Sequence, residues 1–283
     1  MKLIRFGEPG RERPGLELDD GARVDLSGEV GDYTPDFFAQ GGLERLRSLA
    51  ARAAELPRVT PEARLGPPLA RPHKFIAIGL NYRRHAEEAG LPIPAEPIVF
   101  MKHTSCIVGP YDDVVVPPGS TKLDYEVELA LVMKDEVRRL ASEAEALAHV
   151  AGYLVCNDVS ERAWQIERGG QWVKGKSADT FGPLGPWLVT TDVLPDPGGL
   201  DMRLSVNGEV RQQSNTRDMI FAVPHLVWYL SQFFTLEPGD VITTGTPQGV
   251  GMGFKPPRWL VPGDTLELTV AGLGTQTQRV RAG

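Results

Sequence analysis

Residues 124–133, Asp-Tyr-Glu-Val-Glu-Leu-Ala-Leu-Val-Met, carry the pattern on which the reading of the chain turns. Asp124, Glu126 and Glu128 alternate with Tyr125, Val127 and Leu129, the period-two signature of a strand with one polar and one apolar side. Glu126 and Glu128 then project from the same face with Cα atoms ~6.6–6.8 Å apart. A solvated edge strand is the commoner meaning of such a pair. Asp158 shifts the balance, because it ends the apolar run Tyr153-Leu-Val-Cys-Asn, where a carboxylate is costly unless it is paired. Three carboxylates of this kind form an oxygen ligand set that suits Mg²⁺ or Mn²⁺. Asp124 shares the parity of the two glutamates and is either a decoy or a supporting group.

Working outward, strand patterns predominate. Lys74–Leu80, Ile98–Lys102, Val114–Val116, Gly152–Ser160, Phe181–Thr190, Asp240–Gly245 and Asp264–Gly272 all read as extended segments. Leu204–Gln213 reads as a hairpin turning at Asn207-Gly208, and Leu16–Ser27 as one turning at Asp20-Gly21. Helical spacing is expected from Thr34 to about Glu55, over Asn81–Gly90, and after Ser160. Ser142 and Glu145 have the spacing of a capping box. A long helix is expected over residues 217–234, interrupted at Pro224. Strands mostly do not alternate with helices, so the class is mixed α+β and mainly β, not doubly wound. Pro57, Pro61, Pro67, Pro68 and Pro72 mark a boundary near residue 70. The expectation is a small N-terminal α+β domain over residues 1–70 and a catalytic domain over 71–283.

Composition narrows the function classes. The chain has 283 residues, 41% hydrophobic and 24% charged, which excludes a disordered protein. A formal net charge of −7 argues against a nucleic-acid partner and against an anionic membrane surface. No apolar run approaches the ~18 residues of a membrane span. The opening Met1–Gly10 lacks the apolar core of a signal peptide, and the 2 cysteines cannot form a disulfide framework, so a cytoplasmic protein is expected. There is no GxxxxGK[ST], HExxH or GxSxG motif. Gly249-Val-Gly-Met-Gly253 superficially suggests a dinucleotide loop, but Lys255-Pro256-Pro257 follows where a helix would have to open. The 5 histidines are too far apart in sequence to suggest a poly-histidine metal site.

Four more residues stand out. His85 and Glu88 lie three apart on a short helix, a spacing that lets a carboxylate orient an imidazole and raise its basicity; the plain alternative is an exposed pair. Lys176 sits in a glycine-containing loop, where the alternative is a surface lysine. Thr246 follows a strand among glycines whose N–H groups suit a carboxylate, where the alternative is an ordinary turn.

Five segments in order, Gly79–Glu88, Asp124–Ala130, Cys156–Gln165, Gly169–Pro186 and Ile242–Gly251, resemble the fumarylacetoacetate hydrolase family over residues 74 to about 280. The opening residues, Asn215–Phe221 and Val250–Pro257 look most like the branch that hydrolyses 2,4-dioxo-3-deoxy sugar acids, often labelled ureidoglycolate lyase. The resemblance implies a pseudo-barrel β-roll with flanking helices and a homodimer. The aromatic residues of 217–234, among them Trp228, Tyr229, Phe233 and Phe234, also favour a dimer, exceeding what one helical face can hide. The resemblance also implies Mg²⁺ or Mn²⁺ held by Glu126, Glu128 and Asp158, with His85 and Glu88 activating water and Lys176 as the family's lysine. Arg162 and Gln165 would line the cleft, and Thr246 would bind the substrate carboxylate. His103 stands where the family usually carries proline after Lys102.

The expected reaction is hydrolysis of the C–C bond of a 2,4-dioxo acid, an acylpyruvate or a 2,4-dioxo-3-deoxy sugar acid, releasing pyruvate. Arg162, Gln165 and Lys176 would supply donors to the developing oxyanion. Two alternatives share the site: oxaloacetate decarboxylation or enol tautomerisation through the same enolate, and a metal-binding scaffold without turnover. The intact His85, Glu88 and Lys176 argue against the scaffold.

Overall fold

A computed structural model describes residues 1–283. The chain forms strands β1 (Lys2–Phe6), β2 (Arg13–Glu17), β3 (Arg23–Asp25), β4 (Arg58–Val59), β5 (Leu65–Gly66), β6 (Phe75–Gly79), β7 (Ile98–Lys102), β8 (Ile107–Val108), β9 (Val114–Val116) and β10 (Leu123–Asp124). Then come β11 (Val127–Met133), β12 (Val150–Asn157), β13 (Ser160–Glu161), β14 (Gly182–Thr190), β15 (Asp201–Val206), β16 (Glu209–Asn215), β17 (Val241–Thr243), β18 (Thr265–Val270) and β19 (Thr275–Ala282). The α-helices are α1 (Pro35–Ala39), α2 (Gly42–Ala50), α3 (Arg83–Glu88), α4 (Arg162–Ile166), α5 (Val173–Lys176) and α6 (Val223–Ser231). This is the mixed, mainly β class expected. No helix is long and apolar enough to cross a membrane.

The large sheet runs β4-β3-β2-β1-β14-β12-β11-β17-β6-β7, and a second sheet runs β16-β15-β18-β19-β9. Strand direction is what positions the site. β11 is antiparallel to both β12 and β17, while β17 is parallel to β6. The start of β11 therefore lies beside the ends of β12, β17 and β6, and the start of β14 opposes the end of β12. Glu126 and Glu128 at the first end, Asp158 after β12, Thr246 after β17 and His85 after β6 are all delivered to one rim.

Residues 1–70, expected as a small unit of their own, add β1–β5 to the large sheet through pairing of β1 with β14. One hydrophobic cluster joins Leu3, Leu26, Tyr33 and Leu69 to Val127, Leu154 and Leu268, so residues on both sides of position 70 share a core.

Several local expectations are corrected. All seven residues of β11 are buried, so the polar side expected of it is enclosed and the solvated-edge alternative does not hold. It is flanked within the sheet and lies against β15 and β18 of the second sheet. The helix expected over 34–55 breaks into α1, α2 and a 3₁₀ turn at Ala53–Glu55. Thr34 caps α1 by accepting from the Phe37 N–H, and Gly41 takes φ +72° before α2. Pro224 opens α6 instead of interrupting a longer helix, because its missing N–H costs nothing in the first turn. Ser142 precedes a 3₁₀ segment and its hydroxyl meets the Glu145 side chain, with no side-chain cap to the backbone. Both expected hairpins form, β2 with β3 and β15 with β16.

Buried glutamines stitch the two sheets. The Gln276 amide donates to the carbonyl oxygens of Val155 (2.8 Å) and Gly185 (3.0 Å). The Gln278 amide donates to Pro110 (2.7 Å) while its oxygen accepts from Asn157 (3.1 Å). Gln212 accepts from the Val127 N–H at 2.9 Å. Gln276→Leu leaves buried carbonyls without a donor and is expected to destabilise the protein by about 1–3 kcal/mol, read as a lower urea midpoint at unchanged slope.

Candidate metal centre and active site

Glu126, Glu128 and Asp158 are buried, and each presents an oxygen within 4.8 Å of the others. They do not stand alone. The Lys176 ammonium donates to Glu126 Oε2 and Asp158 Oδ2, both at 2.7 Å. Arg162 donates from Nη2 to Glu126 Oε1 (2.5 Å), from Nε to Asp124 Oδ2 (2.8 Å) and from Nη1 to Gln165 Oε1 (3.0 Å). Lys102, wholly buried, donates to Asp158 Oδ1 at 2.6 Å and also to the Lys176 carbonyl.

Burial alone would raise the Glu126 carboxyl, but Arg162, then Lys176, then His85 hold it well below the ordinary range. Glu128 goes the other way. Burial first, then the charges of Asp158 and Glu126, push its carboxyl well above the ordinary value. Its hydrogen bonds, from the Thr243 hydroxyl and the Gly245 N–H (2.9 Å), both fall on Oε2. Counting Asp124, four carboxylates face three cations, and Glu128 has no cation of its own. A hard divalent cation among the three clustered oxygens would balance Glu128, so the donor set and its charge both fit Mg²⁺ or Mn²⁺.

His85 and Glu88 form the expected pair, with His85 Nδ1 3.3 Å from Glu88 Oε2. His85 is buried and lines the same cavity as Glu126 and Glu128, so it is not an exposed surface residue. Glu88 is anchored by the Gly249 N–H, 2.9 Å from Oε1 and 3.1 Å from Oε2. A Cβ on Gly253 would lie 2.3–2.5 Å from the Glu88 carboxylate, so this approach requires glycine. The Gly251 and Met252 N–H groups donate to Asp124 at 2.6 and 3.1 Å. The glycine-rich run that superficially suggests a nucleotide loop thus binds two of the protein's own carboxylates.

Of the remaining expected residues, Gln165 and Thr246 line the cavity of about 90 Å³ together with Arg162 and Lys176. Arg162 spends its donors on Asp124, Glu126 and Gln165. By holding Gln165 Oε1 it leaves the Gln165 NH₂ group as the donor available to a ligand. The Thr246 hydroxyl donates to the Val127 carbonyl at 3.0 Å and accepts from Gln212 at 2.8 Å, while its backbone N–H bonds no protein acceptor.

Sequence reasoning assigned Lys102 no role, although it is the strand-end lysine of an alternating strand whose other residues are half exposed or exposed. Asn81 was also missed. Its amide donates to the Phe221 (2.9 Å) and Thr244 (2.8 Å) carbonyls and its oxygen accepts from the Phe221 N–H (2.8 Å), clamping the turn between β6 and α3 to the loop after β17. His103 is exposed, and its N–H donates to Ser177 Oγ at 2.9 Å, a bond that proline lacks the hydrogen to make.

With this geometry described, the relationships to known proteins become specific. The family profile described as fumarylacetoacetate (FAA) hydrolase C-terminal matches residues 74–281. A Burkholderia multivorans protein, whose name goes no further than hydrolase, is 55% identical over 283 residues, covering 100% of this chain and 99% of the relative. Fumarylacetoacetate hydrolase from Exiguobacterium antarcticum is 36% identical, with TM-score 0.86 and 100% of each chain covered. Maleylpyruvate hydrolase from Sphingobium sp. SYK-6, in complex with manganese(II) and pyruvate, is 31% identical, with TM-score 0.82 and 100% of each chain covered. The chain belongs to the fumarylacetoacetate hydrolase family and is one of its enzymes.

Lys102→Met removes the partner of Asp158 Oδ1 from a dry site. It is expected to lower stability by about 3–5 kcal/mol, measured by urea unfolding of the purified variant.

Proposed function

We propose that this enzyme hydrolyses the C3–C4 bond of a 2,4-dioxo acid with the help of Mg²⁺ or Mn²⁺. The observation that carries the reading is that Glu126 and Glu128, two members of the buried cluster with Asp158, line the same cavity as His85, the histidine paired with Glu88. The balanced reaction is R–CO–CH₂–CO–COO⁻ + H₂O → R–COO⁻ + CH₃–CO–COO⁻ + H⁺. A cation bound by the three carboxylates would supply Lewis acidity for the negative charge that develops on the 2-oxo oxygen.

The chain's own groups account for the rest. Glu88 accepts from His85 Nδ1–H and so leaves Nε2 free to take a proton from water. That water attacks the C4 carbonyl. The Gln165 NH₂ group and the third hydrogen of the Lys176 ammonium are the donors left for the oxyanion. The Thr246 N–H is the free donor for the substrate carboxylate. The protonated His85 then returns its proton to C3 as pyruvate forms.

Two further readings are part of the proposal. The chain forms a homodimer, supported by Phe233, 64% exposed next to α6, and by Val99 and Met101 exposed on edge strand β7. It resides in the cytoplasm, in keeping with Cys106 and Cys156, which are buried, unpaired thiols; burial pushes Cys106 up to about 11.

Pyruvate release from acetylpyruvate tests the reaction. Chelation is expected to abolish it, and added Mg²⁺ or Mn²⁺ to restore it. His85→Ala is expected to lower the rate by about 10²–10⁴-fold while oxalate, a mimic of the pyruvate enolate, still binds. Wild-type rates in His85→Ala would overturn this role for His85. Oxaloacetate loss without any acylpyruvate cleavage would assign the site to decarboxylation.

A further inference from the structure

The cavity is divided into two chemically different halves. Every charged group that lines it, Glu126, Glu128, Arg162, Lys176 and His85, belongs to the catalytic cluster. The cationic groups are already engaged: Arg162 with Asp124, Glu126 and Gln165, and Lys176 with Glu126 and Asp158. Apart from Gln165 and Thr246, the remaining wall is apolar and includes Ile78, Leu91, Phe100, Ile166, Trp172 and Met252. Phe100 and Trp172 meet edge to face, with centroids 5.2 Å apart. Trp172 also lies against Gly79, where a Cβ would come within 2.6 Å of the indole ring. Lys176 Nζ sits 5.2 Å from the Phe100 ring centroid, so the aromatic wall begins where the charged cluster ends. Leu91 and Ile166 are 50% and 52% exposed, which places partly exposed apolar side chains along the outer part of this wall.

We infer that this wall is the acyl subsite, and that the substrate is an acylpyruvate whose acyl group is an apolar chain. The inference rests on the proposed reaction and names its substrate class. A second carboxylate at the far end of the substrate would meet no unengaged cation and would lose its hydration against Phe100, Trp172 and Ile166. A polyhydroxylated acyl group would bury hydroxyls against side chains that offer no partner. A hydrocarbon chain leaves water for this wall at no such cost, and each methylene that does so raises kcat/KM about fourfold.

The deciding pairs, butanoylpyruvate with succinylpyruvate and 2-oxohexanoate with 2-oxoadipate, have equal length and differ only at the terminus. With Mn²⁺-loaded protein, butanoylpyruvate is expected to exceed succinylpyruvate and a 2,4-dioxo-3-deoxy sugar acid in kcat/KM by about tenfold or more, and to exceed acetylpyruvate, which is two methylenes shorter, by about fifteenfold. Binding is read separately by calorimetry with 2-oxohexanoate and 2-oxoadipate, neither of which can be cleaved by this reaction. Tighter binding of 2-oxohexanoate supports the apolar subsite even if no acylpyruvate is turned over, an outcome that would count only against the proposed reaction. Equal or tighter binding of 2-oxoadipate overturns the inference, whatever the turnover results. Ile166→Arg, which puts a cation at a half-exposed position of the wall, is expected to shift the preference towards 2-oxoadipate by about tenfold. An unchanged ratio would place the acyl chain elsewhere.

Discussion

The ammonium of Lys176, shared between Glu126 and Asp158 at 2.7 Å each, is the contact on which the site depends. It joins two carboxylates delivered by different strands and by itself neutralises neither. Arg162 on one side and Lys102 on the other complete the neutralisation of Glu126 and Asp158. Ion pairs as dry as these carry a desolvation cost of several kcal/mol per ion, which only near-ideal geometry repays. Lys102 ends β7, Lys176 ends α5, and the lysine pair is tied together through the Lys176 carbonyl.

The same cluster explains the loops. Backbone N–H groups of Gly249, Gly251 and Met252 go to Glu88 and Asp124, two carboxylates outside the Glu126–Glu128–Asp158 cluster. Glu88 holds His85, and Asp124 holds Arg162, which in turn orients Gln165. One glycine-rich segment therefore sets both the proposed base and the proposed oxyanion donor. Neither has to be arranged by the substrate, and pre-arranged donors cost no reorganisation when charge develops. Away from this cluster and Thr246 the cavity lining is apolar, so polar and apolar recognition are spatially separated.

Much of this was legible in the linear chain. Period two in residues 124–133 put Glu126 and Glu128 on one side, and the end of an apolar run marked Asp158, because local patterns report strand periodicity and the cost of burying a charge. The three-residue spacing of His85 and Glu88 was likewise local. The same local evidence left exposure open, since a solvated edge strand shares the E-x-E pattern. β11 is buried on both faces because a second sheet covers it, and no pattern within β11 announces that cover. The helix over 34–55 was overestimated for a related reason: apolar spacing continued through Gly41-Gly42, where the backbone turned.

The sequence by itself determined which residue types were present and which of them shared a local face: the E-x-E pair, the histidine–glutamate pair, and the glycines of 249–253. Tertiary structure decided that strands far apart in sequence end at one rim, and so which charges meet. Lys102 lies 56 residues from Asp158, and Gly249 lies 161 from Glu88. Pairings over such separations follow from strand order and direction, which arise from how the two sheets pack and not from any local periodicity. For the same reason the role of Lys102, the clamp at Asn81 and the apolar half of the cavity became visible only once the chain was folded.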